Sequence, residues 1–386
     1  MSATIAPGQW LGMVGGGQLG RMFCHAAQSL GYKVAVLDPA DACPAGVVAD
    51  LFIQAAYDDA EGLSRLAAQC PAITTEFENV PADSLRLLAQ TSRVTPSGDA
   101  VAVVQDRNVE KAYIASQGIA IAPNVPVHAA SDLVQADDAL FPGILKAARL
   151  GYDGKGQARV ANREEAVAAF DSFGGVPCVL EAMLALDHEI SVVIARGIDG
   201  ATQVFPIARN EHRDGILART TVGADEDTAH AHAAKDAALA IAHGLNYQGV
   251  LCVEFFVLED GRLLVNEIAP RPHNSGHYSM DACVTSQFEQ QARVMAGLPL
   301  GSTRLLAPAV MLNILGDAWF APGSDTQREP AWGQALQVDT AKLHLYGKAD
   351  PRRGRKMGHL TCTGTTVQAA AQAADRVAKV LQLGQD

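Results

Sequence analysis

Apolar and polar positions alternate with two different periods along the first part of the chain. Short apolar runs predict buried strands at Trp10–Val14, Lys33–Leu37 and Ala72–Thr75, and an amphipathic stretch at Gly20–Leu30 predicts a helix. Alternating strands and helices form a parallel sheet, because each helix returns the chain to the starting edge of the sheet. We therefore expect the chain to begin with a parallel α/β unit.

The pattern changes in the middle of the chain. Helical periodicity predicts helices at Asn108–Ser116 and Ala229–His243 and a final helix at Thr366–Leu381. Apolar runs predict strands at Gly143–Lys146, Pro177–Glu181, Glu189–Ala195, Val250–Leu258 and Arg262–Ile268. The last two runs flank Asp260 and Gly261, a pair typical of a two-residue hairpin turn. We expect these two strands to form an antiparallel hairpin.

Length and composition narrow the class of protein. The 386 residues are 48% hydrophobic and 19% charged, which predicts two or three folded domains and excludes a disordered chain. The net charge of -12 argues against nucleic acid or an anionic membrane as the main partner. No apolar run reaches the roughly 18 residues of a membrane-spanning helix, and Met1–Gly8 lacks the features of a secretory signal. We expect a soluble, cytoplasmic protein.

A glycine-rich turn joins the first strand to the first helix. Gly15–Gly20 has the spacing G-x-G-x-x-G, and Asp38 ends the following strand. This combination is typical of dinucleotide binding, with the pyrophosphate at the turn and the acid on a ribose hydroxyl. The helix N-terminus, however, suits any phosphate. The turn alone therefore leaves two interpretations open, a nicotinamide or flavin site and a site for another phosphate.

Two glutamates are predicted to face each other across the hairpin. With Asp260 and Gly261 as the loop, Glu254 and Glu267 lie opposite each other with Cβ atoms about 5 Å apart. The same register predicts the neighbouring pairs Phe256/Val265 and Leu258/Leu263. Two adjacent carboxylates repel unless a cation lies between them, and Mg²⁺ shared with phosphates fits such a pair. The alternative is that both acids splay apart into water.

A second phosphate-binding arrangement follows the strand that ends at Lys146. Gly151–Gln157 contains three glycines and Lys155, so its amides and its lysine could close over phosphates, although an ordinary hairpin turn would also explain it. Glu181 and Glu189 could hold a ribose or simply end their strands in solvent. Lysines on phosphates and acids on Mg²⁺ are the parts that phosphoryl transfer needs.

Two donor-rich segments complete the candidate chemistry. Ala269–His277 directly follows the hairpin, and its arginine, histidines and asparagine suit a small oxyanion beside a transferring phosphoryl group. A structural loop is the alternative. Five basic residues lie within Lys348–Lys356 and suit a phosphomonoester, since no interleaved aromatic residues support nucleic acid.

These segments together resemble the 5-(carboxyamino)imidazole ribonucleotide synthase (PurK) family of the ATP-grasp superfamily. The matching segments, in family order, are Gly15–Met22, Glu76–Val80, Gly151–Gln157, Asp214–Leu217, Asn266–His277 and Gly354–His359. The resemblance implies an α/β and α+β protein with the ATP-grasp fold. It places a Rossmann-like domain at residues 1–104, an ATP-grasp domain at 105–300 with a lid at roughly 110–182, and a C-terminal module at 301–386.

The resemblance implies an ATP-dependent ligase of purine biosynthesis. Such an enzyme carboxylates 5-aminoimidazole ribonucleotide with bicarbonate through carboxyphosphate, using Mg²⁺ or Mn²⁺ with ATP and neither NAD nor flavin. It also implies a homodimer. The alternatives are a related ATP-grasp ligase with other substrates, a nicotinamide-dependent oxidoreductase and a nucleotide-binding regulator without activity.

The resemblance further implies roles for individual residues. It assigns ATP to Arg107, Lys146, Gly151, Tyr152, Asp153, Gly154, Lys155, Gly156, Gln157, Glu181, Ala182, Met183, Leu184, Glu189, His212, Asn266 and Glu267. It assigns the metal to Glu254 and Glu267, and catalysis to Arg271, His273, Asn274, Lys155 and Asp153. It assigns the ribonucleotide to Gln18, Leu19, Glu78, Tyr152, Asp153, Arg271, Lys348 and Arg355. Thr75 is a departure, because the family often has an aromatic residue there.

Overall fold

The computed structural model describes residues 4–151, 156–223, 228–321 and 323–384. It begins with a parallel sheet of β1 (Trp10–Val14), β2 (Lys33–Asp38), β3 (Leu51–Gln54), β4 (Ala72–Thr75) and β5 (Arg93–Val94), in the order β3-β2-β1-β4-β5. One face packs on α1 (Gln18–Ser29), and the other on α2 (Ala60–Gln69), α3 (Ala82–Leu88) and α4 (Gly98–Val104). The predicted parallel α/β unit is confirmed.

A small antiparallel sheet follows α5 (Arg107–Ser116). Its strands are β6 (Asn124–Val127), β7 (Gly143–Ala147), β8 (Gln157–Val160) and β9 (Cys178–Ala182), in the order β6-β9-β7-β8. The short helix α6 (Ala130–Val134) and α7 (Arg163–Ser172) pack on one face of this sheet. The glycine-rich segment Gly151–Gln157 ends at the first residue of β8, and β7 and β8 are antiparallel neighbours.

The largest sheet runs through the middle and the end of the described chain. Its strands are β10 (Leu186–Arg196), β11 (Thr202–Val204), β12 (Ala208–Arg213), β13 (Ile216–Val222), β14 (Gly249–Leu258), β15 (Leu263–Ala269), β16 (Ala309–Leu315), β17 (Ala341–Leu345) and β18 (Lys356–Thr363). The order is β15-β14-β10-β12-β13-β16-β18-β17, with β11 beside β10, and the pairs are antiparallel. The remaining helices are α8 (Ala229–Gly244), α9 (Ser279–Ala282), α10 (Gln287–Ala296), α11 (Trp332–Ala335) and α12 (Val367–Leu381).

The two faces of this sheet differ in character where β10 and β14 run side by side. Ile190 and Val192 of β10, with Val253 and Phe255 of β14, pack against the apolar side of α8. Period-two alternation places Ser191 and Glu254 on the opposite face. That face therefore carries the polar residues of the candidate site. Among the described helices, none combines the length and the apolar character needed to cross a bilayer.

The predicted two-residue hairpin loop is wrong. The Leu258 amide donates to the Arg262 carbonyl at 2.9 Å, so the loop has three residues, and its last residue Gly261 has φ +82°. A left-handed residue at this position is typical of three-residue hairpins. One added loop residue shifts the register, so that the neighbouring pairs are Phe255/Val265, Phe256/Leu264 and Val257/Leu263. The predicted pairs Phe256/Val265 and Leu258/Leu263 are therefore wrong.

A β-bulge at Asn266 reverses this shift. Beyond the bulge, Glu254 lies opposite Glu267, as predicted. Val265 and Ile268 both belong to the hydrophobic core beneath α8, although they are three positions apart. A regular strand would place such residues on opposite faces, whereas one extra residue lets both reach the core. Burial of these two side chains explains why the bulge lies between them.

Candidate active site

Two buried lysines flank one carboxylate in the small sheet. Lys146 of β7 and Lys111 of α5 each place Nζ 3.0 Å from an oxygen of Glu181 on β9. Burial would raise the pKa of Glu181, but Lys146 and Lys111 lower it. One carboxylate between two ammonium groups leaves a net positive charge, which suits the phosphates of a nucleotide. Sequence reasoning identified Lys146 and Glu181 but missed Lys111.

A charged face of α5 explains how Lys111 could have been found. Arg107, Glu110 and Lys111 follow the i, i+3, i+4 spacing that places residues on one side of a helix. Glu110 is fully buried, and its carboxylate accepts a hydrogen bond of 2.6 Å from the amide of Ile268. Burial and the neighbouring Glu267 raise the pKa of Glu110 to about 8. Glu110 thereby ties the helix to β15 beside the hairpin acids.

Each acid of the Glu254/Glu267 pair has its own cation. Arg107 Nη1 lies 2.8 Å from Glu267 Oε2, and His273 Nε2 lies 2.8 Å from Glu254 Oε1. Burial would raise the pKa of Glu267, but Arg107 lowers it to about 2. Burial would lower the pKa of His273, but Cys252 and Glu254 raise it to about 10. These partners offset the repulsion that two facing carboxylates would otherwise have.

The donor set beside this pair fits a hard divalent cation. The Oδ1 atom of Asn266, between the two acids in sequence, is buried and has no hydrogen-bond partner among the described residues. Ligand atoms of Glu189, His212 and Glu254 also lie within 4.8 Å of one another. Carboxylate and amide oxygens are the ligands that Mg²⁺ prefers. The residues therefore fit a metal next to nucleotide phosphates.

Glu189 and His212 meet across neighbouring strands. His212 Nδ1 lies 3.1 Å from Glu189 Oε2. Burial would lower the pKa of His212, but Glu189 raises it. Sequence reasoning did not predict strands β12 and β13, which bring His212 beside Glu189, so only the resemblance pointed to this histidine.

The loop after β15 carries a cationic and amide-rich surface. Arg271 forms an ion pair with Glu78 of the N-terminal part, and His273 contacts Glu254. Burial would lower the pKa of Arg271, but Glu78 raises it above its ordinary value. Asn274 is only 7% exposed, and neither polar atom of its amide has a partner within the described chain. Such an unpaired buried amide is costly, so we infer that a ligand pairs with it.

One glutamine holds the backbone of this loop. Gln287 Oε1 accepts from the His273 amide at 2.9 Å, and Gln287 Nε2 donates to the His273 carbonyl at 2.7 Å. The same Nε2 lies 3.0 Å from Nδ1 of His277. Gln287 is fully buried at the start of α10. No sequence signal marked it, because its role depends on a contact between α10 and a distant loop.

Carboxylates of the chain itself occupy the glycine turn. Glu76 accepts from the amides of Gly17 at 2.6 Å and Gly20 at 2.9 Å, and Asp38 accepts from Gly16 at 2.6 Å. A dinucleotide would need the same amides for its pyrophosphate and a free acid for its ribose. The geometry therefore argues against the dinucleotide interpretation of the turn.

The start of α1 lies close to the basic turn of the C-terminal region. A Cβ atom on Gly347 would lie 3.2 Å from Nη1 of Arg21, so the turn before Lys348 contacts the first turns of α1. The predicted ligands Gln18 and Leu19 begin this helix. Lys348 donates to the Lys356 carbonyl and Arg355 to the Asp350 carbonyl, at 2.7 and 2.8 Å. The fold thus brings together residues from the two ends of the chain.

Several predicted ligands lie in the connections of the small sheet. Tyr152, Asp153, Gly154 and Lys155 fall outside the described residues. Gly151 and Gly156 belong to the β7–β8 connection, and Gln157 is the first residue of β8. Ala182 ends β9, and Met183 and Leu184 follow it before β10. Thr75, where an aromatic residue was expected, is buried and donates to the carbonyls of Val14 and Phe77.

Comparison with known families divides the chain into three consecutive matches. Residues 9–105 match the ribonucleotide synthetase preATP-grasp domain, and residues 112–288 match the ATP-grasp domain. Residues 309–373 match the phosphoribosylaminoimidazole carboxylase C-terminal domain. The predicted ATP-grasp fold, with its Rossmann-like N-terminal domain and C-terminal module, is confirmed.

Relatives match the chain over nearly its whole length. It is 46% identical over 361 residues to the N5-carboxyaminoimidazole ribonucleotide synthase of Brucella melitensis biotype 1, covering 93% of this chain and 97% of the relative. The Staphylococcus aureus N5-carboxyaminoimidazole synthetase, complexed with ADP, has a TM-score of 0.89 and 37% identity over 97% of this chain and 98% of that one. The Aspergillus clavatus N5-carboxyaminoimidazole synthase, in complex with ADP and 5-aminoimidazole ribonucleotide, has a TM-score of 0.85 and 28% identity over 97% and 98%. The chain belongs to the N5-carboxyaminoimidazole ribonucleotide synthase family of ATP-grasp enzymes.

Proposed function

We propose that this chain is an ATP-dependent carbon–nitrogen ligase that carboxylates 5-aminoimidazole ribonucleotide with bicarbonate in purine biosynthesis. The products are 5-carboxyaminoimidazole ribonucleotide, ADP and phosphate. Membership of the family supports this assignment, as does the relative that was solved with ADP and the same ribonucleotide.

The observation that carries the proposal is the unpaired amide of Asn274. Both of its polar atoms are buried and lack a partner among the residues described, and Arg271 and His273 lie within three positions of it. A donor and an acceptor beside two cationic groups suit bicarbonate, which carries both a hydroxyl and negatively charged oxygens. His273 also contacts Glu254, so this oxyanion site adjoins the hairpin acids.

The ATP phosphates are proposed to lie against the lysines of the small sheet. Lys146 and Lys111 supply positive charge near Glu181, and Arg107 lies on the Glu267 side. Glu189 and His212 on the neighbouring strands would hold the ribose. Gly151–Gln157, including Tyr152–Lys155, remains a predicted cover for the phosphates, with Lys155 adding charge. Asn266 and the connection Ala182–Leu184 complete the predicted site.

Glu254 and Glu267, with Asn266, would hold Mg²⁺ at this site. When bound, the ion would offset negative charge on the ATP phosphates. The protein's own part is to hold reactants in line and to stabilise developing charge. A bicarbonate oxygen attacks the γ-phosphorus, the bond to the ADP oxygen breaks, and carboxyphosphate forms. The exocyclic amine then bonds to the carboxyl carbon, phosphate leaves, and the amine loses one proton.

The ribonucleotide is proposed to lie between the two ends of the chain. Lys348 and Arg355 would hold its phosphate, and Gln18, beside Leu19 at the start of α1, would lie near the imidazole and ribose. Glu78 contacts Arg271 and would link the ribose to the oxyanion site. Asp153 is proposed to lie near the imidazole. The homodimer, the cytoplasmic location and the domain boundaries at residues 104 and 300 stay predictions.

Release of ADP by the purified protein tests the proposal. MgATP would be supplied with bicarbonate, with the ribonucleotide, and with both. We expect substantial ADP release and an acid-labile carboxylated product only when both are present. If the ribonucleotide has no effect while ATP still binds, the enzyme is an ATP-grasp ligase with another substrate. A parallel titration with NAD and NADP is expected to show no binding, because Glu76 occupies the glycine turn.

A further inference from the structure

A line of buried polar side chains leads across the large sheet to His273. Thr220 Oγ1 donates to Asn210 Oδ1 at 2.9 Å, and Asn210 Nδ2 donates to Ser191 Oγ at 2.9 Å. Ser191 Oγ then donates to Ser275 Oγ at 2.7 Å. None of these four side chains is more than 5% exposed. The line therefore consists of hydrogen bonds made inside the protein and shielded from water.

The line follows the strand order of the sheet. Thr220 of β13 pairs with Asn210 of β12, and β12 is the neighbour of β10, which carries Ser191. Ser191 in turn lies opposite Glu254 on β14. Buried polar groups lower stability unless every member is satisfied, so a continuous line of hydrogen bonds that ends at a residue of the candidate site indicates a specific purpose.

The last member of the line contacts the imidazole of His273. Ser275 Oγ lies 2.8 Å from Nδ1 of His273, while Nε2 on the other side of the ring lies 2.8 Å from Glu254 Oε1. The ring is thus held at both nitrogens, and its rotation is restricted. Ser275 Oγ also lies 3.8 Å from Sγ of Cys252, so the sulfur is a second acceptor for the proton of the Ser275 hydroxyl.

We propose that Ser191, held in place by Asn210, is a positioning residue that fixes the orientation of the His273 ring through Ser275. The proposal rests on the function given above, in which His273 helps to hold bicarbonate. A hydroxyl can donate to a neutral ring nitrogen or accept from a protonated one. Ser275 can therefore keep the ring in one orientation whether or not Nδ1 is protonated. When Nδ1 is protonated, the Ser275 hydroxyl accepts its proton in a hydrogen bond and turns its own proton towards Cys252.

The backbone of the loop is held separately. Gln287 bonds both the amide and the carbonyl of His273, and neither contact involves Ser191. Loss of the Ser191 hydroxyl should therefore leave the loop in place and free the Ser275 hydroxyl to turn away, so that Nδ1 of the ring keeps only the longer bond from the Ser275 amide at 3.3 Å. This separation makes the proposal distinguishable from a general structural role of Ser191.

The test compares Ser191→Ala with Ser191→Thr and with Ser92→Ala. Removing a group that orients a site residue typically lowers activity by about 10- to 100-fold. We expect Ser191→Ala to lower kcat and raise the KM for bicarbonate within that range, with the KM for ATP unchanged. Ser191→Thr keeps the hydroxyl and should restore most of the activity. Ser92→Ala removes a buried hydroxyl outside this line, which donates to the Cys70 carbonyl at 2.9 Å, and should change bicarbonate kinetics little.

An NMR measurement distinguishes the positioning role of Ser191 from a general structural role. The imidazole ¹⁵N signals of His273, assigned by their loss in His273→Asn, should shift in Ser191→Ala and not in Ser92→Ala. Wild-type kinetics and an unshifted signal in Ser191→Ala would overturn the positioning role, as would an equal rise in the KM values for ATP and bicarbonate. Absence of ribonucleotide-dependent turnover in the wild type would instead overturn the proposed function, and the signal shift would still test the contact.

Discussion

Glu254 and Glu267 face each other across β14 and β15 because a bulge at Asn266 cancels the register shift of a three-residue loop. Both carboxylates stay on the polar face of the sheet, while Val265 and Ile268 reach the core behind it. The pairing is therefore produced by two irregularities of the hairpin, and each acid has its own cationic partner.

Glu267→Gln should abolish most of the turnover and leave the protein folded. The change removes one of the two proposed carboxylate ligands and leaves Arg107 without its ion-pair partner. Loss of one such electrostatic group commonly costs about 100-fold or more in kcat. Glu259→Gln, an exposed change in the hairpin loop, is the matched control. Near-normal ADP release by Glu267→Gln, with circular dichroism unchanged, would contradict the metal assignment.

Asn274→Ala should lower activity at little cost in stability. The amide makes no hydrogen bond to the described protein, so its removal breaks no protein contact and should instead weaken bicarbonate binding by about 10-fold or more. Steady-state kinetics with varied bicarbonate, beside thermal unfolding, measure both effects.

Asn313→Ala is a control that should lower stability and leave bicarbonate binding unchanged. Asn313 Nδ2 donates to the Leu217 carbonyl at 2.7 Å in the buried interior. Its loss should lower the free energy of unfolding by about 1–3 kcal/mol, without a matching rise in the KM for bicarbonate. Equal behaviour of the two variants would argue that Asn274 has a structural role only.

Glu110→Gln should change how stability depends on pH. The ordinary pKa of 4.5 is raised to about 8 by burial and Glu267, so the folded protein keeps a proton that the unfolded chain has lost. Stability from this group is present below pH 4.5 and falls as pH rises towards 8, by on the order of 3 kcal/mol. The variant keeps an oxygen for the Ile268 amide and should lose this decline. Urea unfolding at pH 5 and pH 8 measures the difference.

Glu181→Gln is a control for which stability should depend on pH in the opposite direction. The two lysines lower the pKa of Glu181, so its contribution is present above the ordinary pKa and is lost as pH falls. At pH 8 the variant should lose about 3–5 kcal/mol, because two buried ammonium groups are left without their carboxylate. A pH profile of Glu110→Gln that matches the wild type would contradict the assignment.

Lys111→Met should weaken ATP binding more than bicarbonate binding. Lys111 Nζ lies 3.0 Å from Glu181, and without it the carboxylate neutralises Lys146 alone. The site then presents less positive charge to the phosphates, and the KM for ATP should rise by about 10-fold. Lys342→Met, on the distant strand β17, controls for the loss of a lysine. An unchanged KM for ATP would show that Lys111 only balances Glu181.

Local features of the chain were predictable where one short segment determines them. The parallel unit at residues 10–75 followed from apolar periodicity, and Arg271, His273 and Asn274 followed from the density of donors in one loop. The charged face of α5 was equally readable, since Arg107, Glu110 and Lys111 share one helical side. The β-bulge at Asn266 could not be predicted in this way, because its position depends on which side chains pack into the core beneath α8.

The sequence alone determined the family, the order of the elements and most of the candidate chemistry, because these depend on residue types at short spacings. Only the tertiary structure decided which groups meet. Glu76 binds glycine amides more than 50 positions away, and Ser191 reaches Ser275 across 84. Such contacts depend on strand order, register and bulges. These features are determined by the burial of many side chains that lie far apart in the sequence. For that physical reason the glycine turn could be read as a dinucleotide site until the structure placed a carboxylate in it.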